Sequence, residues 1–462
     1  MDPVTVCAED TDLTGSATST TLEAPGRHRQ PELPTSAASS VPSSRLARVS
    51  SALAAPMLFA VVVQNLANFG FHAVVGRTLP PGEYGALGAV LAVMVLLSVP
   101  LMALQASASA LVSGSGWDSG VVRRTLTRVS IVGVVVGAAV LAVSGAVQAY
   151  FHLASRVDAA VLAPFVTVSI LLAVARGLLL GDGRVRTTAM TYLVGTAARF
   201  SLGVLLVFPF GVTGALVGTL LGETSALIAA TAPVLRRHGA ADASARLRVA
   251  DLALSGFAVT GLFLFSTVDL LMARHYLPDA ATGSYTAAAT IGKTVLALPA
   301  AVIGVYFPRL VIAWRAGDSA TLRRAVVVVC GLAFLGAAAV AAVPGLLLHL
   351  LYGPEGFASA AGLVRLLAVV AGLTSVVSVL TYAALARRGW SLLVPWFGAM
   401  VEVALIMRAH ATTTDIALAS LSALVPTLVV MASWEGLVWW RAGRTTVFGR
   451  HERDAFAPAF AV

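Results

Sequence analysis

A small set of side chains in this sequence places charge or strong hydrogen-bonding capacity inside apolar text. Gln64, Asn65, Asn68 and His72 fall within about 100° of arc on one helix face. Amides and an imidazole on one stripe suit a water-lined surface, or hydrogen bonds to a neighbouring helix. Lys293 lies deep in a later apolar run, and Asp269 in the run before it. The two could form a static pair, or a pair that opens to meet a ligand. An ammonium is a compact point charge suited to an anionic group such as a diphosphate. Arg199 and Glu223 sit at similar depth in adjoining runs, and mutual pairing is the preferred reading because an unpaired buried charge is costly. Glu402 stands in a late run without an evident partner. With Asp269, His72 and Glu223 it forms the candidate set for coupling to H+ or Na+. Arg309, at the end of a run, could meet a diphosphate or a lipid headgroup. Arg176 and Arg365 suit snorkelling, Glu435 an interfacial place, and Trp434, Trp439 and Trp440 an aromatic belt.

The solvent that must surround these groups follows from composition. The chain has 58% hydrophobic and 11% charged residues, against about 25% charged in soluble domains. Its mean hydropathy is +0.87. Apolar runs recur at about the 20 residues a helix needs to cross a bilayer. Twelve such spans are predicted, at about 51–76, 85–112, 126–148, 158–181, 187–208, 211–232, 250–274, 283–312, 325–348, 360–386, 389–408 and 416–440. The fold class expected is an all-α polytopic membrane protein. Charge inside such spans costs at least a few kcal/mol and marks function or pairing.

The formal charge of +9 does not form one patch, so nucleic acid is not an expected partner. Twenty-two arginines fall in the N-terminal tail, the alternate links and the C-terminal segment. The other links hold only Arg77, Arg156, Arg274 and Arg408. The positive-inside rule then puts both termini in the cytoplasm. Residues 1–48 read as a polar, disordered cytoplasmic tail rich in Ser, Thr, Pro and Ala, without a signal-peptide core. Two six-helix lobes are expected at 49–235 and 236–443, with a second cytoplasmic tail at 444–462.

The lobes are suggested by a repeat. The first is Arg77-Thr78-Leu79-Pro80-Pro81-Gly82-Glu83-Tyr84-Gly85-Ala86-Leu87. The second runs Ala273-Arg274-His275-Tyr276-Leu277-Pro278-Asp279 and on through Gly283-Ser284-Tyr285-Thr286-Ala287-Ala288. Each has an Arg, a Leu-Pro, an acidic residue and a Tyr beside small residues, between two spans. Such a repeat fits a two-lobed transporter with its site between the lobes. The first run resembles the first external turn of polysaccharide and oligosaccharide-lipid flippases, within the multidrug/oligosaccharidyl-lipid/polysaccharide exporter superfamily. The stretch from Val268 and Asp269 to Ala288 resembles the seventh-to-eighth-helix hairpin of that group, and Pro308 matches a Pro common there.

The resemblance implies two pseudo-symmetric six-helix bundles around a central cavity that opens alternately to each side. It implies a lipid-diphosphate-linked glycan as cargo, the cytoplasmic membrane as location, and an ion gradient or membrane potential as drive. Other envelope-glycan synthesis proteins would be partners. Lys293, Arg199, Arg309, Asn65, Asn68 and Gln64 are then the candidate substrate contacts. The long polar tail departs from the short N-terminus usual in the group.

Other readings are a multidrug cation antiporter of the same superfamily, a membrane glycosyltransferase or glycan polymerase, and a scaffold for envelope synthesis. An antiporter cavity should be dominated by carboxylates, whereas the intramembrane cations here at least match the acids. An external enzyme would need a sizeable loop, and all links are short. No G-x-x-x-x-G-K-[S/T], G-x-S-x-G or H-E-x-x-H occurs, and neither nucleotide hydrolysis nor a cofactor is expected. Cys7 and Cys330 show no metal or disulfide spacing.

Overall fold

The computed structural model describes residues 43–239, 249–353 and 357–445, and the expectations for residues 1–42 and 446–462 lie outside these. The first half comprises α1 (Ser43–Thr78), α2 (Pro81–Ser115), α3 (Ser119–Tyr150), α4 (Arg156–Ala160), α5 (Leu162–Gly181) and α6 (Val185–Leu235). The second comprises α7 (Val249–Phe265), α8 (Val268–Tyr276), α9 (Asp279–Gly292), α10 (Ala297–Ala316) and α11 (Ser319–Ala342). It continues with α12 (Pro344–Tyr352), α13 (Ala361–Ala386), α14 (Val394–Arg408) and α15 (Thr413–Thr445). No strand occurs among the described residues. Helix α1 opens at Ser43, inside the stretch expected to be tail.

Local chemistry sets the helix ends. Pro81 opens α2, where a missing N–H costs nothing. Asp118 caps α3 by accepting from the Gly120 and Val121 N–H groups. Gly317 closes α10 in the left-handed conformation that its lack of a Cβ permits.

Among the described residues ten helices are long and apolar enough to span a bilayer. The pair Gly256–Phe265 and Val268–Tyr276, bent by 45°, adds an eleventh when read as one broken span. Helix α6 has 51 residues, about twice a bilayer's thickness at 1.5 Å per residue. It reverses at Gly211, whose φ of 55° and ψ of −133° no β-branched residue would adopt. Its two arms then pack against each other, with Gly222 on the Arg199 backbone and Gly218 on Gly203. Counting α6 as two crossings gives the expected twelve. Val135, Phe334, Leu335 and Leu350 are all more than 60% exposed, a surface suited to acyl chains and not to water.

Within the first lobe α5 packs against α2, α3 and α6, and within the second α13 packs against α11 and α15. The lobes meet where α2 runs along α9, α7 and α8. The two Leu-Pro links lie together at one end, here called the link end. There Gly85 faces Thr282 and Gly88 faces Thr286, so closely that a Cβ on either would collide. Small residues let the two backbones approach in the way membrane helix pairs favour.

Two interfacial expectations are corrected. Glu435 is fully buried, held by Arg387 at 2.6 and 2.9 Å and by the Ser391 hydroxyl at 2.5 Å. Trp439 is 2% exposed and packs edge-on against Trp314, and Trp434 packs edge-on against Trp390. Of the three tryptophans only Trp440 is half exposed. Hydropathy reports depth along the axis and not direction around it, so a charge and a ring near a span's end read as interfacial even where the fold buries them.

Candidate functional site

The polar residues singled out in the sequence sort into two clusters, one in each lobe. The second-lobe cluster is built on two helix breaks. Between α7 and α8 the Leu270 N–H turns to the Thr267 carbonyl, which leaves the Ser266 carbonyl without its usual helical donor. A 3-10 turn at Lys293–Leu296 separates α9 from α10 and carries Lys293 toward that gap. The Lys293 ammonium donates to the Ser266 carbonyl and to Asp269 Oδ1, both at 2.7 Å. Irregular backbone inside a bilayer survives only when freed groups find such partners. Asp269, 2% exposed, uses its other oxygen to accept from the Tyr285 hydroxyl at 2.9 Å.

Glu402 of α14 faces the same crevice, which is also lined by Ser266, Asp269, Lys293, Thr374 and Ser420. The free space there, about 10 Å³, is roughly what one water needs. Glu402 is 1% exposed and its Oε2 has no hydrogen-bond partner among the described residues. No partner is evident for it along the chain, and the fold brings it to Asp269 and Lys293. This cluster can hold a cation between carboxylates, and Lys293 supplies one from the chain itself. Tyr285, Ser266 and Ser420 were not singled out for a site. Only Tyr285 carried a signal, through its place in the repeat.

The first-lobe cluster centres on His72, whose Nδ1 is 3.0 Å from the Tyr84 hydroxyl. That hydroxyl also reaches the Tyr352 hydroxyl of the second lobe at 3.0 Å and Thr290 at 3.5 Å. Beside His72, the Arg199 guanidinium carbon lies 5.1 Å above the centre of the Phe71 ring, within cation–π range. Arg199 Nε is buried with no acceptor. The expected Arg199–Glu223 contact pair is absent from the ion pairs of the described residues. The physical reason is register. Gly222 makes the contact with the Arg199 backbone, so Glu223 points about 100° away around the helix. Glu223 stays within electrostatic range of both Arg176 and Arg199. Arg176 stacks on Tyr192 at 3.7 Å and donates to the Thr191 hydroxyl instead of snorkelling.

The α1 stripe is divided. His72 is tied into the bundle, whereas Gln64 and Asn65 are exposed and Asn65 donates to its own helix at the Val61 carbonyl. Asn68 is half-buried. Arg309 is exposed, with the Tyr306 ring 5.6 Å away, and belongs to neither cluster. Arg365 donates to the Ala341 carbonyl at 3.1 Å.

Over most of its length the chain is similar to solved transporters. The inward-facing conformation of a multidrug resistance MATE family transporter of the MOP superfamily matches with a TM-score of 0.70 at 15% identity, over 83% of this chain and 96% of that one. An outward-facing conformation described in the same words matches with a TM-score of 0.62 at 15% identity, over 85% and 96%. A MOP superfamily transporter from Pyrococcus furiosus, reported to have a binding pocket of reverse polarity, matches with a TM-score of 0.56 at 15% identity, over 84% and 95%. No protein-family model and no curated protein matches the chain. The chain therefore shares the fold of these solved transporters, with its described membrane helices arranged in two lobes.

Proposed function

We propose that this chain is an alternating-access exporter that moves a lipid-linked oligosaccharide or polysaccharide precursor across the cytoplasmic membrane, with both termini in the cytoplasm. One contrast carries the reading. Asp269, the second-lobe carboxylate best placed to hold a cationic cargo, is neutralised by Lys293. In the first lobe the Arg199 guanidinium has a buried, unused donor. A guanidinium fork matches phosphate oxygens, and the spare donor suits an anionic cargo.

Arg199 is then the first contact for the diphosphate, and Lys293 joins it when its pair with Asp269 opens. Arg309 meets the headgroup at the entrance. Exposed amides on α1, Gln64 and Asn65, with Asn68 beside them, would offer sugar hydroxyls donors and acceptors along a hydrated path. Asp269 and Glu402 carry the coupling ion, H+ or Na+, with His72 and Glu223 as the first-lobe counterparts. The link end is the external one in this reading.

A second reading, a multidrug cation antiporter, is favoured by the partnerless Glu402 Oε2 and by the similarity to multidrug transporters. Liposomes reconstituted with the purified chain and offered a sugar-diphosphate lipid and an organic cation side by side separate the two. The lipid should cross and the cation should not, and Arg199→Ala should slow lipid transfer by about tenfold, the worth of one charge-assisted hydrogen bond. Cation uptake without lipid transfer would reverse the assignment.

A further inference from the structure

We propose that Arg77 and Arg274 form a reciprocal pair of clamps that hold the link end shut, Arg77 closing on the short helix that follows the second lobe's third membrane helix and Arg274 on the end of the first lobe's third membrane helix. This rests on alternating access but not on the nature of the cargo.

The two arginines occupy the same place in the repeat, ahead of each Leu-Pro. Arg77, in the last turn of α1, donates through Nε to the Leu351 carbonyl at 2.9 Å and through Nη2 to the Leu350 carbonyl at 2.5 Å. Those carbonyls belong to the last turn of α12, which ends at Tyr352 with the Gly353 N–H closing on His349. The final carbonyls of a helix have no intrahelical donor and carry its negative dipole end. A guanidinium supplies both the donors and the charge.

Arg274, in the last turn of α8, does the same in the other direction. Its Nε donates to the Phe151 carbonyl and its Nη2 to the His152 carbonyl, both at 2.8 Å, at the end of α3. Its Nη1 donates to Asp279 Oδ1 at 2.7 Å and reaches the Gly82 carbonyl of the first link at 3.4 Å. His275 adds a hydrogen bond to the Tyr150 carbonyl at 2.8 Å and stacks on the Tyr150 ring. Each lobe thus reaches across the seam to the helix end that its partner leaves uncapped.

The clamps differ in strength. Arg274 is 5% exposed, reaches three carbonyls across the seam and is oriented by Asp279 of its own lobe. Arg77 is exposed and holds carbonyls alone. Separating the lobes at this end breaks the carbonyl contacts of both arginines and leaves two helix ends without donors unless water enters, while Arg274 keeps Asp279 of its own lobe. Opening therefore requires both clamps to release, and the Arg274 clamp sets the larger part of the barrier.

The test is a distance measured across the link end of the full chain in lipid nanodiscs. Spin labels go on Ala154→Cys and Ser359→Cys in a Cys7→Ser, Cys330→Ser background. Both label positions are exposed, one on each side of the seam. Arg77→Ala should raise the ratio of long to short distances about tenfold, the loss of one strong or two modest hydrogen bonds. Arg274→Ala should raise it further. Arg77→Lys and Arg274→Lys should fall between, because an ammonium keeps the charge and loses the fork. Arg77 is exposed, so its two variants keep the test available if Arg274→Ala fails to insert. An unchanged distance distribution in inserted Arg77→Ala and Arg77→Lys would overturn the proposal. Lipid and cation transfer need not be measured, so a wrong cargo assignment would leave this result standing.

Discussion

The first and second lobes solve one structural problem with different chemistry. In each, a tyrosine just past the link is fully buried and hydrogen-bonds a polar residue on the helix before it. In the first lobe the pair is Tyr84 and His72, in the second Tyr285 and Asp269. The first pair extends outward across the seam to Tyr352 and Thr290. The second turns inward to Lys293 and the crevice beside Glu402. One buried hydroxyl, repeated, thus serves contact between lobes on one side and a charged cluster on the other. Symmetry of backbone does not impose symmetry of function.

The sharpest way to break this comparison is to remove the charge on which the second cluster depends. Lys293→Ala leaves Asp269 buried and unpaired, which costs about 3–5 kcal/mol. Thermal unfolding of the solubilised protein should show the loss. The double variant Lys293→Met, Asp269→Leu removes both charges and should recover most of it. Arg199→Ala, which breaks no contact ion pair, should cost far less. If it costs as much as Lys293→Ala, the lobes are not different in the way described.

Next in size is ion dependence. Asp269→Asn keeps the Tyr285 contact but removes a negative charge beside Glu402. Transport driven by an imposed H+ or Na+ gradient should lose its gradient dependence, with a fall of about tenfold or more in rate. His72→Asn should weaken the gradient dependence less than Asp269→Asn does. A gradient effect lost in the His72 variant and kept in the Asp269 variant would exchange the roles of the lobes.

The seam tests the geometry on which both clusters rest. A Cβ on Gly88 would run into the Thr286 side chain, so Gly88→Val should wedge α2 from α9. Overpacking of this kind costs about 1–3 kcal/mol. The cost should fall selectively on the closed link end, read as an increase in labelling of a cysteine placed at Ser284. Equal labelling of parent and variant would mean that the seam tolerates a branched side chain, and that the small residues do not set the approach.

What the sequence reveals divides along the same physical line. Span number and the Asp269–Lys293 pair were legible because hydropathy sets lengths, and because two charges in adjoining apolar runs need each other. The Arg199–Glu223 pair was misread because equal depth says nothing about azimuth, which Gly222 fixes by taking the contact itself. Glu435 reads as interfacial because its partner Arg387 lies 48 residues earlier, and only the tertiary fold carries α13 to α15 and buries the two together. The helix breaks at Ser266 and Lys293 fall at residues without a proline and left no local mark. Tyr84 and Tyr285 were visible only as letters in a repeat. A tyrosine in apolar text has an ordinary role as a core ring, and its hydroxyl partner is known only from the fold.

Those tyrosines give the smallest and most exact comparison. Tyr84→Phe removes hydrogen bonds between neutral groups, and His72 and Tyr352 can turn to each other or to water. A cost of about 1 kcal/mol is expected. Tyr285→Phe removes a donor to a buried carboxylate, for which about 1.5–3 kcal/mol is expected, because no water easily reaches Asp269 at 2% exposure. The difference between the two, read in the same unfolding assay, reports whether the repeated hydroxyl holds a neutral gate in one lobe and a charge in the other. Equal costs would mean that Lys293 alone satisfies Asp269. Tyr285 would then be a packed ring like any other, and the two lobes would be alike in chemistry as well as in backbone.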